Sequence, residues 1–344
     1  MNDSPGYFLR ENSGTTELGE SARTVYLGAQ EGLTYIAPFV EDRFLTERSG
    51  ERTSSLDDPS GLAKLWSSAD ADLAVLVAPA DVVDSLAGPG DIRAVSRIHQ
   101  VVDTSRGHAH VMSRLLSRRE GRRRRNAERD GFTYDVSHED EHFYEFYRTM
   151  HLPTMHMRYA DRARSVEEEQ AFRTLFRQGV LFRVLRSGEW VAGSVCQIDR
   201  ERRRLNARLI GIKEGSEVHR AAGAQTYIYY ANLDWAASEE GIDLLDFQGC
   251  EPFLTKGTFQ YKKRFGTTAV IPDNVFGRLR MLIRPKAQSP SVRRFLVNNP
   301  VVAENGSGEL VATYFFDQNT PVRSDIQHNC PGITEAVSIN LDEL

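Results

Sequence analysis

Cysteine is scarce in this sequence, with three in 344 residues, at Cys196, Cys250 and Cys330. None belongs to a CxxC pair, and no arrangement of cysteine and histidine has the spacing of a zinc site. An odd number of scattered cysteines argues against a disulfide framework and is typical of proteins from a reducing compartment. We therefore expect a cytoplasmic protein without a bound metal.

Long hydrophobic runs are also lacking. No apolar stretch approaches the ~18 residues that can cross a bilayer. The opening residues, MNDSPGYFLRENSG, contain neither the basic nor the apolar segment of a signal peptide. The sequence therefore predicts neither a membrane span nor secretion.

Positive charge is in slight deficit overall, because 43 Lys and Arg face 48 Asp and Glu, giving a formal net charge of -5. This excludes a general attraction to nucleic acid. Locally, however, arginines crowd into residues 114–129, and four of them share one helical face: Arg118, Arg122, Arg125 and Arg129. This stripe predicts contact with RNA phosphates. The alternative is a solvated helix that pairs with the acidic residues of the next helix. Since no aromatic residue lies among these arginines, stacking on bases is not expected there.

The length and composition suit a folded protein of one large domain or two, with 40% hydrophobic and 26% charged residues. Residues 1–112 are predicted to form an α/β region without a chemical motif. Residues 113–285 carry the motifs, and residues 286–344 are a C-terminal extension. In the middle part, a helix ending at Gly131 is followed by a strand and by a helix over 138–151 that Pro153 should end. Then come elements in the order β-β-β-α-β-α-β, which predicts a mixed α/β fold with a central sheet flanked by helices.

Five short stretches carry a family resemblance, namely Arg125–Phe132, Gly188–Gly193, His219–Ala224, Leu245–Gly249 and Tyr261–Gly266. In this order they resemble the arginine–asparagine helix, the central hairpin, the start of the cofactor helix, the next strand and the last helix of the GNAT acyltransferase fold. The sequence is most similar to the GNAT-like domain of the Fem-type aminoacyl-tRNA-dependent transferases. The resemblance covers roughly residues 115–272. Because Fem-type proteins contain two GNAT-like halves, residues 1–112 are a candidate for a degenerate first half.

The resemblance implies a phosphate-binding site at the start of the helix over 219–238. Free N–H groups and the helix dipole would face the donor's phosphate there. The implied cofactor-binding residues are Arg220, Ala222, Gly223 and Ala224. Gln225 stands where the GNAT coenzyme A pattern has glycine or alanine, which weakens the case for coenzyme A. The alternative is an ordinary helix N-terminus with small residues packed on the sheet.

Three residues are the catalytic candidates. Asp246 lies in an apolar strand, where burial would raise its pKa toward that of a general base. A structural carboxylate that holds the backbone N–H groups of Gly249 and Cys250 is an equal alternative. Tyr261 is a weaker candidate for proton transfer, and the resemblance favours Lys262 as the residue that stabilises an oxyanion or a phosphate. A solvated basic helix face is the alternative for the lysine. Cys250 has no assignable histidine partner, so covalent catalysis is not favoured.

The substrate-contacting candidates are Arg158, Tyr159 and Gln248, in segments that line the acceptor cleft in the family. The implied function is transfer of an aminoacyl group from aminoacyl-tRNA to the amine of a small molecule or peptide precursor, with no permanently bound cofactor. One alternative is an N-acyltransferase that uses acyl-CoA, and another is a non-catalytic GNAT-like binding module. The lack of a heptad-repeat hairpin favours a small acceptor.

Overall fold

The structure is a computed structural model that describes residues 6–56, 61–159 and 165–344. The first hundred residues form strands β1 to β5 and helices α1 to α3: β1 (Tyr7–Thr15), β2 (Ser21–Ala29), α1 (Gln30–Phe44), β3 (Glu47–Leu56), α2 (Leu62–Ser67), β4 (Leu73–Pro79), α3 (Ala80–Leu86) and β5 (Ile92–Val95).

The middle of the chain begins with β6 (Ile98–Asp103), α4 (Gly107–His110), α5 (Arg118–Arg129), β7 (Phe132–Ser137), α6 (Asp140–Phe146), α7 (Leu152–Tyr159) and α8 (Glu168–Ala171). It continues with β8 (Gly179–Arg186), β9 (Glu189–Asp199), β10 (Arg204–Ile212), α9 (Glu217–Ala221), α10 (Ala224–Ser238), β11 (Leu244–Cys250), α11 (Gly257–Lys262) and β12 (Thr268–Val270). Wider π-helical turns cover Val111–Leu115, Tyr147–His151 and Phe172–Phe176, and 3-10 turns cover Lys213–Gly215 and Lys263–Phe265.

The last part contains α12 (Val275–Arg278), β13 (Leu279–Pro285), α13 (Pro290–Asn298), β14 (Val301–Glu304), β15 (Leu310–Phe316), β16 (Ile333–Asn340) and a 3-10 turn at Leu341–Glu343.

The chain divides into two compact units. The first unit comprises Met1–His99, Gly249–Tyr261 and Ala269–Leu344, and the second comprises Gln100–Gln248 and Lys262–Thr268. These bounds differ from the predicted divisions at 112/113 and 285/286. The reason is long-range strand pairing, because β13 pairs with both β4 and β5 and thereby builds the C-terminal segment into the first unit.

The first unit contains a mixed six-stranded sheet in the order β3-β1-β2-β4-β13-β5. Only β2 and β4 run parallel among the registers described. The central strand β4 is a continuous apolar run buried on both faces, as expected for a strand covered by helices. A small sheet, β14-β15-β16, completes this unit.

The sheet of the second unit has the order β12-β6-β11-β10-β9-β8-β7. Strands β7 to β10 are antiparallel, and β10 runs parallel to β11. An aromatic cluster around Phe143, Phe146 and Phe176 packs α6 and its neighbouring turns on β8 and β9. The predicted order β-β-β-α-β-α-β is confirmed by β8 to β12 with α9, α10 and α11 between them.

Three helix predictions were wrong in detail. The single helix predicted over 219–238 is divided into α9 and α10 by Gly223, whose left-handed φ of +99° interrupts it. The helix expected to run unbroken up to Asp130 is interrupted, because Ser117 leaves the helical conformation and its side chain caps α5 by accepting a hydrogen bond from the Glu120 N–H. Pro153 does not end the helix that precedes it. The π-helical turn at Tyr147–His151 shifts the hydrogen-bond pattern, so proline fits as the second residue of α7.

Candidate active site

The strands β10 and β11 separate partway along their length. Their parallel register covers three pairs and ends at Asn206 and Asp246. Strand β10 continues to Ile212 in register with β9, after a bulge between Ala207 and Leu209. Beyond Asn206 the edge of β10 that faces β11 is therefore no longer paired with β11. We call the region beside this unpaired edge the β10–β11 gap.

Three of the predicted site residues meet where β11 ends. Asp246 is 2% exposed, and its carboxylate accepts a hydrogen bond of 2.6 Å from the Gln248 N–H. The Lys262 ammonium donates to the Gln248 carbonyl oxygen at 2.8 Å. The Gln248 side chain reaches toward Asn206 Oδ1 at 3.5 Å. Lys262 is buried, so the alternative of a solvated basic face is wrong for this residue.

Gln248 adopts a backbone conformation that side chains rarely take, with φ of +65°. A left-handed conformation at a residue other than glycine costs on the order of 1–2 kcal/mol. Its N–H donates to the Asp246 carboxylate and its carbonyl oxygen accepts from Lys262, and these two hydrogen bonds hold it there. Tyr261 lies one residue before Lys262 on α11 and is partly exposed. Its role stays a prediction.

The start of α10 brings together a second group of predicted residues. Gly223 has φ of +99° and ends the preceding turn with open space beside it. The first N–H groups of α10, from Ala224 onward, have no partners within the helix. Arg220 is half-buried, pairs with Glu217 at 2.7 Å and has a buried Nε without a partner among the described residues.

Arg158, from α7, also reaches the start of α10. Its guanidinium donates a hydrogen bond to the Gln225 side chain. Two guanidinium groups, those of Arg158 and Arg220, therefore belong to the same helix terminus, which favours binding of an anion. Ala222 is half-buried and Ala224 is buried. The predicted contact by the Tyr159 side chain lies outside what the structure describes.

His151 is not among the predicted site residues, and the structure places it against Ile210, on the edge of β10 that borders the β10–β11 gap. Its ring is 3% exposed, and Nδ1 lies 2.9 Å from the Ile210 carbonyl oxygen. Because a carbonyl only accepts, Nδ1 carries the proton and Nε2 keeps a free lone pair. Nε2 is buried without a hydrogen-bond partner among the described residues. Burial lowers the pKa of His151, and the hydrogen bond to Ile210 opposes this only in part. The ring is therefore a neutral base.

The edge of β10 facing the gap is partly occupied. The Thr154 hydroxyl accepts from the Ile212 N–H at 2.8 Å and lies 3.2 Å from the Ile212 carbonyl oxygen. Residues two apart on a strand direct their backbone groups to the same edge. The Ile210 N–H therefore points into the gap as its carbonyl does, and no side chain in the described part of the chain accepts from it. Gly211 lets the His151 backbone approach, because a Cβ there would lie 2.6 Å from His151 N.

The predicted arginine stripe is exposed on α5. Arg118, Arg122, Arg125 and Arg129 are all exposed, and none forms an ion pair with a carboxylate of residues 6–56, 61–159 or 165–344. Arg129 instead donates to the Asn126 side chain and the Arg125 carbonyl. The acidic residues expected to neutralise the stripe pair elsewhere, Asp135 with Arg183 and Asp140 with Arg177. The four arginines are therefore solvated, as the alternative expected, but they are not paired with the next helix among the described residues, and contact with RNA stays a prediction.

The cysteines are buried in the protein. Cys196 is fully buried, which raises the pKa of its thiol to about 12, and Cys250 and Cys330 are also buried. A buried thiol of raised pKa is a poor nucleophile. Within the described residues, no helix has the length and apolar character that a membrane crossing requires.

Comparison with known proteins gives matches among solved structures alone. No family model matches the sequence, and no curated protein does. FemX is 11% identical, with 81% of this chain and 88% of the FemX chain covered and a TM-score of 0.42. L-PGS from Bacillus licheniformis is 11% identical, with 82% and 86% covered and a TM-score of 0.37. A GCN5-related N-acetyltransferase from Kribbella flavida is 12% identical, with 76% and 80% covered and a TM-score of 0.31. These structures include a GNAT acetyltransferase and FemX, the two kinds of protein that the sequence resembles. The proposed reaction is therefore based on the site residues alone.

Acidification should destabilise the protein through His151. The folded pKa of His151 lies below its ordinary value of 6.5, so the unfolded chain binds a proton that the folded chain does not. The contribution of His151 to the free energy of unfolding is therefore fully present above the pKa of the unfolded state. It is lost as the pH falls toward the pKa of the folded state. Between about pH 8 and pH 5, the Tm measured by thermal denaturation should fall further for the wild type than for His151→Gln.

The matched control for this measurement is His138→Gln, at an exposed histidine on the surface. This variant should follow the wild type at every pH. Parallel curves for the wild type and His151→Gln would show that His151 is not buried as a neutral ring.

Proposed function

We propose that this chain is an acyltransferase that moves an aminoacyl group from aminoacyl-tRNA onto an amine of a small molecule or peptide precursor, forming an amide bond. One observation carries the proposal. On the edge of β10 that borders the β10–β11 gap, the Ile210 carbonyl oxygen holds Nδ1 of His151, and the Ile210 N–H points to the same edge. Nε2 of the same ring is buried without a partner among the described residues. The gap therefore combines a donor for a carbonyl oxygen with an acceptor for a proton.

The chemical step needs both groups. The nitrogen of the acceptor amine attacks the ester carbonyl carbon, and the oxygen that becomes negative accepts a hydrogen bond from the Ile210 N–H. His151 Nε2 takes the proton from the amine, while the Ile210 carbonyl keeps Nδ1–H in place. The bond between the carbonyl carbon and the ribose oxygen then breaks, and the ribose oxygen takes the proton from His151. The ester is already activated, so no permanently bound cofactor is required.

The proton acceptor is placed at His151 rather than at Asp246 because the two side chains are engaged differently. The Asp246 carboxylate already accepts the Gln248 N–H, whereas Nε2 of His151 has no partner among the described residues. In this proposal Asp246 and Lys262 are positioning residues that fix Gln248 at the mouth of the gap, with Gln248 available to the substrate.

The start of α10 is the proposed anchor for a phosphate of the donor. Arg158 and Arg220 supply positive charge, and the N–H groups of the first turn, beginning at Ala224, supply hydrogen bonds. An anchored phosphate fixes the ester relative to the gap, and such positioning supplies much of the catalysis in reactions of activated acyl groups.

Two observations favour RNA over coenzyme A as the carrier of the acyl group. A pantetheine arm contains amides that need free backbone partners, but Thr154 occupies both backbone groups of Ile212 on the gap side of β10. The unpaired arginine stripe on α5 also offers regularly spaced charges to a polyanion. Because aminoacyl-tRNA is a cytoplasmic molecule, we expect the reaction in the cytoplasm.

The test compares the two donors directly. The protein is incubated with tRNA charged with each labelled amino acid and a panel of amines, including lysine, a diamine and an amino sugar. The expected result is accelerated loss of the alkali-labile ester with formation of an alkali-stable, RNase-resistant amide. Thiol release from acyl-CoA in a parallel reaction, without any effect on charged tRNA, would assign the chain to the coenzyme A class instead. Binding of tRNA without turnover of either donor would reduce it to a binding module.

A further inference from the structure

A basic cavity lies beside the start of α5, within the second unit. Its volume is about 410 Å³, within the range of about 300–1,000 Å³ typical of small-molecule sites. Four cationic side chains and one carboxylate line it: Arg119, Arg123, Lys263, Arg264 and Glu120. Positive charge is thus in large excess, which suits an anion.

Glu120 organises the cavity wall. Its carboxylate is 3% exposed and accepts hydrogen bonds from Tyr230 at 2.7 Å, Arg123 at 2.6 Å and Arg264 at 3.0 and 3.1 Å. Burial raises the pKa of Glu120, but the hydrogen bonds from Arg264 and Tyr230 and the nearby arginine charges outweigh it, and the net pKa is lowered. One carboxylate therefore orients two guanidinium groups without neutralising both.

Arg119 forms no ion pair or hydrogen bond in the described part of the chain, and it is exposed at the cavity rim. The cavity floor is fixed by Gly266, whose φ is +71° and whose position cannot hold a side chain. A Cβ there would lie 2.7 Å from the Leu115 carbonyl oxygen. The segment bearing Lys263 and Arg264 is therefore packed closely against the residues that lead into α5.

The cavity is connected to the β10–β11 gap through a single short segment. Lys262 donates to the Gln248 carbonyl at the end of β11, and the next two residues, Lys263 and Arg264, line the cavity. Consecutive Cα atoms are about 3.8 Å apart. The residues that line the cavity therefore begin one position after the lysine that is bonded to the end of β11.

We propose that this cavity binds a phosphate group, with its nucleoside, near the esterified end of the RNA donor. The inference rests on the proposed function, and it adds a site separate from the arginine stripe. The stripe offers exposed, unpaired charges along α5, which suit the backbone of a duplex stem. The cavity is a single open depression of about 410 Å³ whose guanidinium groups are oriented by Glu120, and it suits a single terminal unit.

The experiment uses the full chain with Arg119→Ser, Lys263→Ser and the double variant. The matched control is Arg200→Ser, an exposed arginine on the turn between β9 and β10. The probes are the trinucleotide CCA, inorganic pyrophosphate and coenzyme A, with Kd measured over a range of salt. The double variant should bind CCA about tenfold or more weakly, and the slope of log Kd against log salt should fall by about 1.4, or 0.7 for each lost contact to a single strand. The control should stay within about twofold, and Tm should be unchanged in all variants.

Turnover of charged tRNA provides an independent readout. The double variant should raise KM for charged tRNA by about tenfold with kcat retained, since it removes binding that is equal in ground and transition states. If the wild type does not bind CCA, or the double variant binds it normally, the cavity assignment is overturned. Loss of coenzyme A binding with CCA binding retained would also overturn it.

The two proposals fail in different ways. Turnover of charged tRNA with a normal KM in the double variant would leave the transferase intact and remove the cavity from it. Loss of CCA binding in the double variant, in a protein that turns over no charged tRNA, would keep the cavity as an RNA-end site and overturn the transferase.

Discussion

His151→Gln should lower kcat for aminoacyl transfer by about 100- to 10,000-fold, the range that general base catalysis contributes. Glutamine can still donate a hydrogen bond to the Ile210 carbonyl, which His151 Nδ1 now contacts at 2.9 Å, but it cannot take up a proton at pH 7. The KM for charged tRNA should change little, because in the proposed step His151 takes up a proton and does not bind the RNA. Single-turnover kinetics with charged tRNA and a saturating amine measures the effect.

The pH profile separates a catalytic role of His151 from a structural one. In the wild type, kcat/KM should fall as the pH drops through the pKa of His151, which burial has moved below its ordinary value. In His151→Gln this acidic limb should disappear, while the residual rate stays low. His138→Gln should retain both the rate and the limb. A glutamine variant with a wild-type rate and profile would remove His151 from the mechanism.

Replacing three stripe arginines together, Arg118→Ser, Arg122→Ser and Arg125→Ser, should weaken tRNA binding and reduce its dependence on salt. Each phosphate contact to a duplex contributes about 0.9 to the slope of log Kd against log salt, so the slope should fall by about 2.7. The folded state should be unaffected, because these side chains are exposed and pair with no carboxylate that the structure describes. Filter binding of uncharged tRNA at several salt concentrations measures both quantities.

A control triple variant carries the same change in charge at paired arginines: Arg148→Ser, Arg173→Ser and Arg177→Ser. These three bond to Glu168, Glu169 and Asp140, so their charge is already neutralised locally. Their replacement should leave the salt slope within error and cost at most about 1 kcal/mol of stability per exposed pair. Equal losses of tRNA binding in both triple variants would mean that net charge, rather than the stripe, controls the binding.

The sequence was most informative where local pattern determines local structure. The hairpin at Ser187–Gly188, the end of α5 before Gly131 and the strands β8 to β10 follow from turn chemistry and side-chain periodicity. Asp246, Gln248 and Lys262 were all named in advance, and the structure brings them into one cluster. The apolar run around it marked Asp246, whereas Gln248 and Lys262 were predicted from the family resemblance.

The remaining features depend on contacts between distant residues. His151 is a base because Ile210, 59 residues later, accepts its Nδ1–H, and no local pattern records that partner. The one available signal was a histidine between apolar residues just before Pro153. The domain boundary at 285 was misplaced for a similar reason, because the pairing of β13 with β4 joins residues about two hundred positions apart. The β10–β11 gap likewise reflects a register of three pairs that only the folded sheet defines.

The place of β13 between β4 and β5 has a consequence for biosynthesis. During translation, β4 emerges early, but one edge of it stays without a neighbour until residue 285 has left the ribosome, after nearly all of the second unit. An apolar strand with an open edge can pair with other chains. The first sheet is therefore completed only late in synthesis. We expect chaperones that act during synthesis to bind preferentially at the open edge of β4.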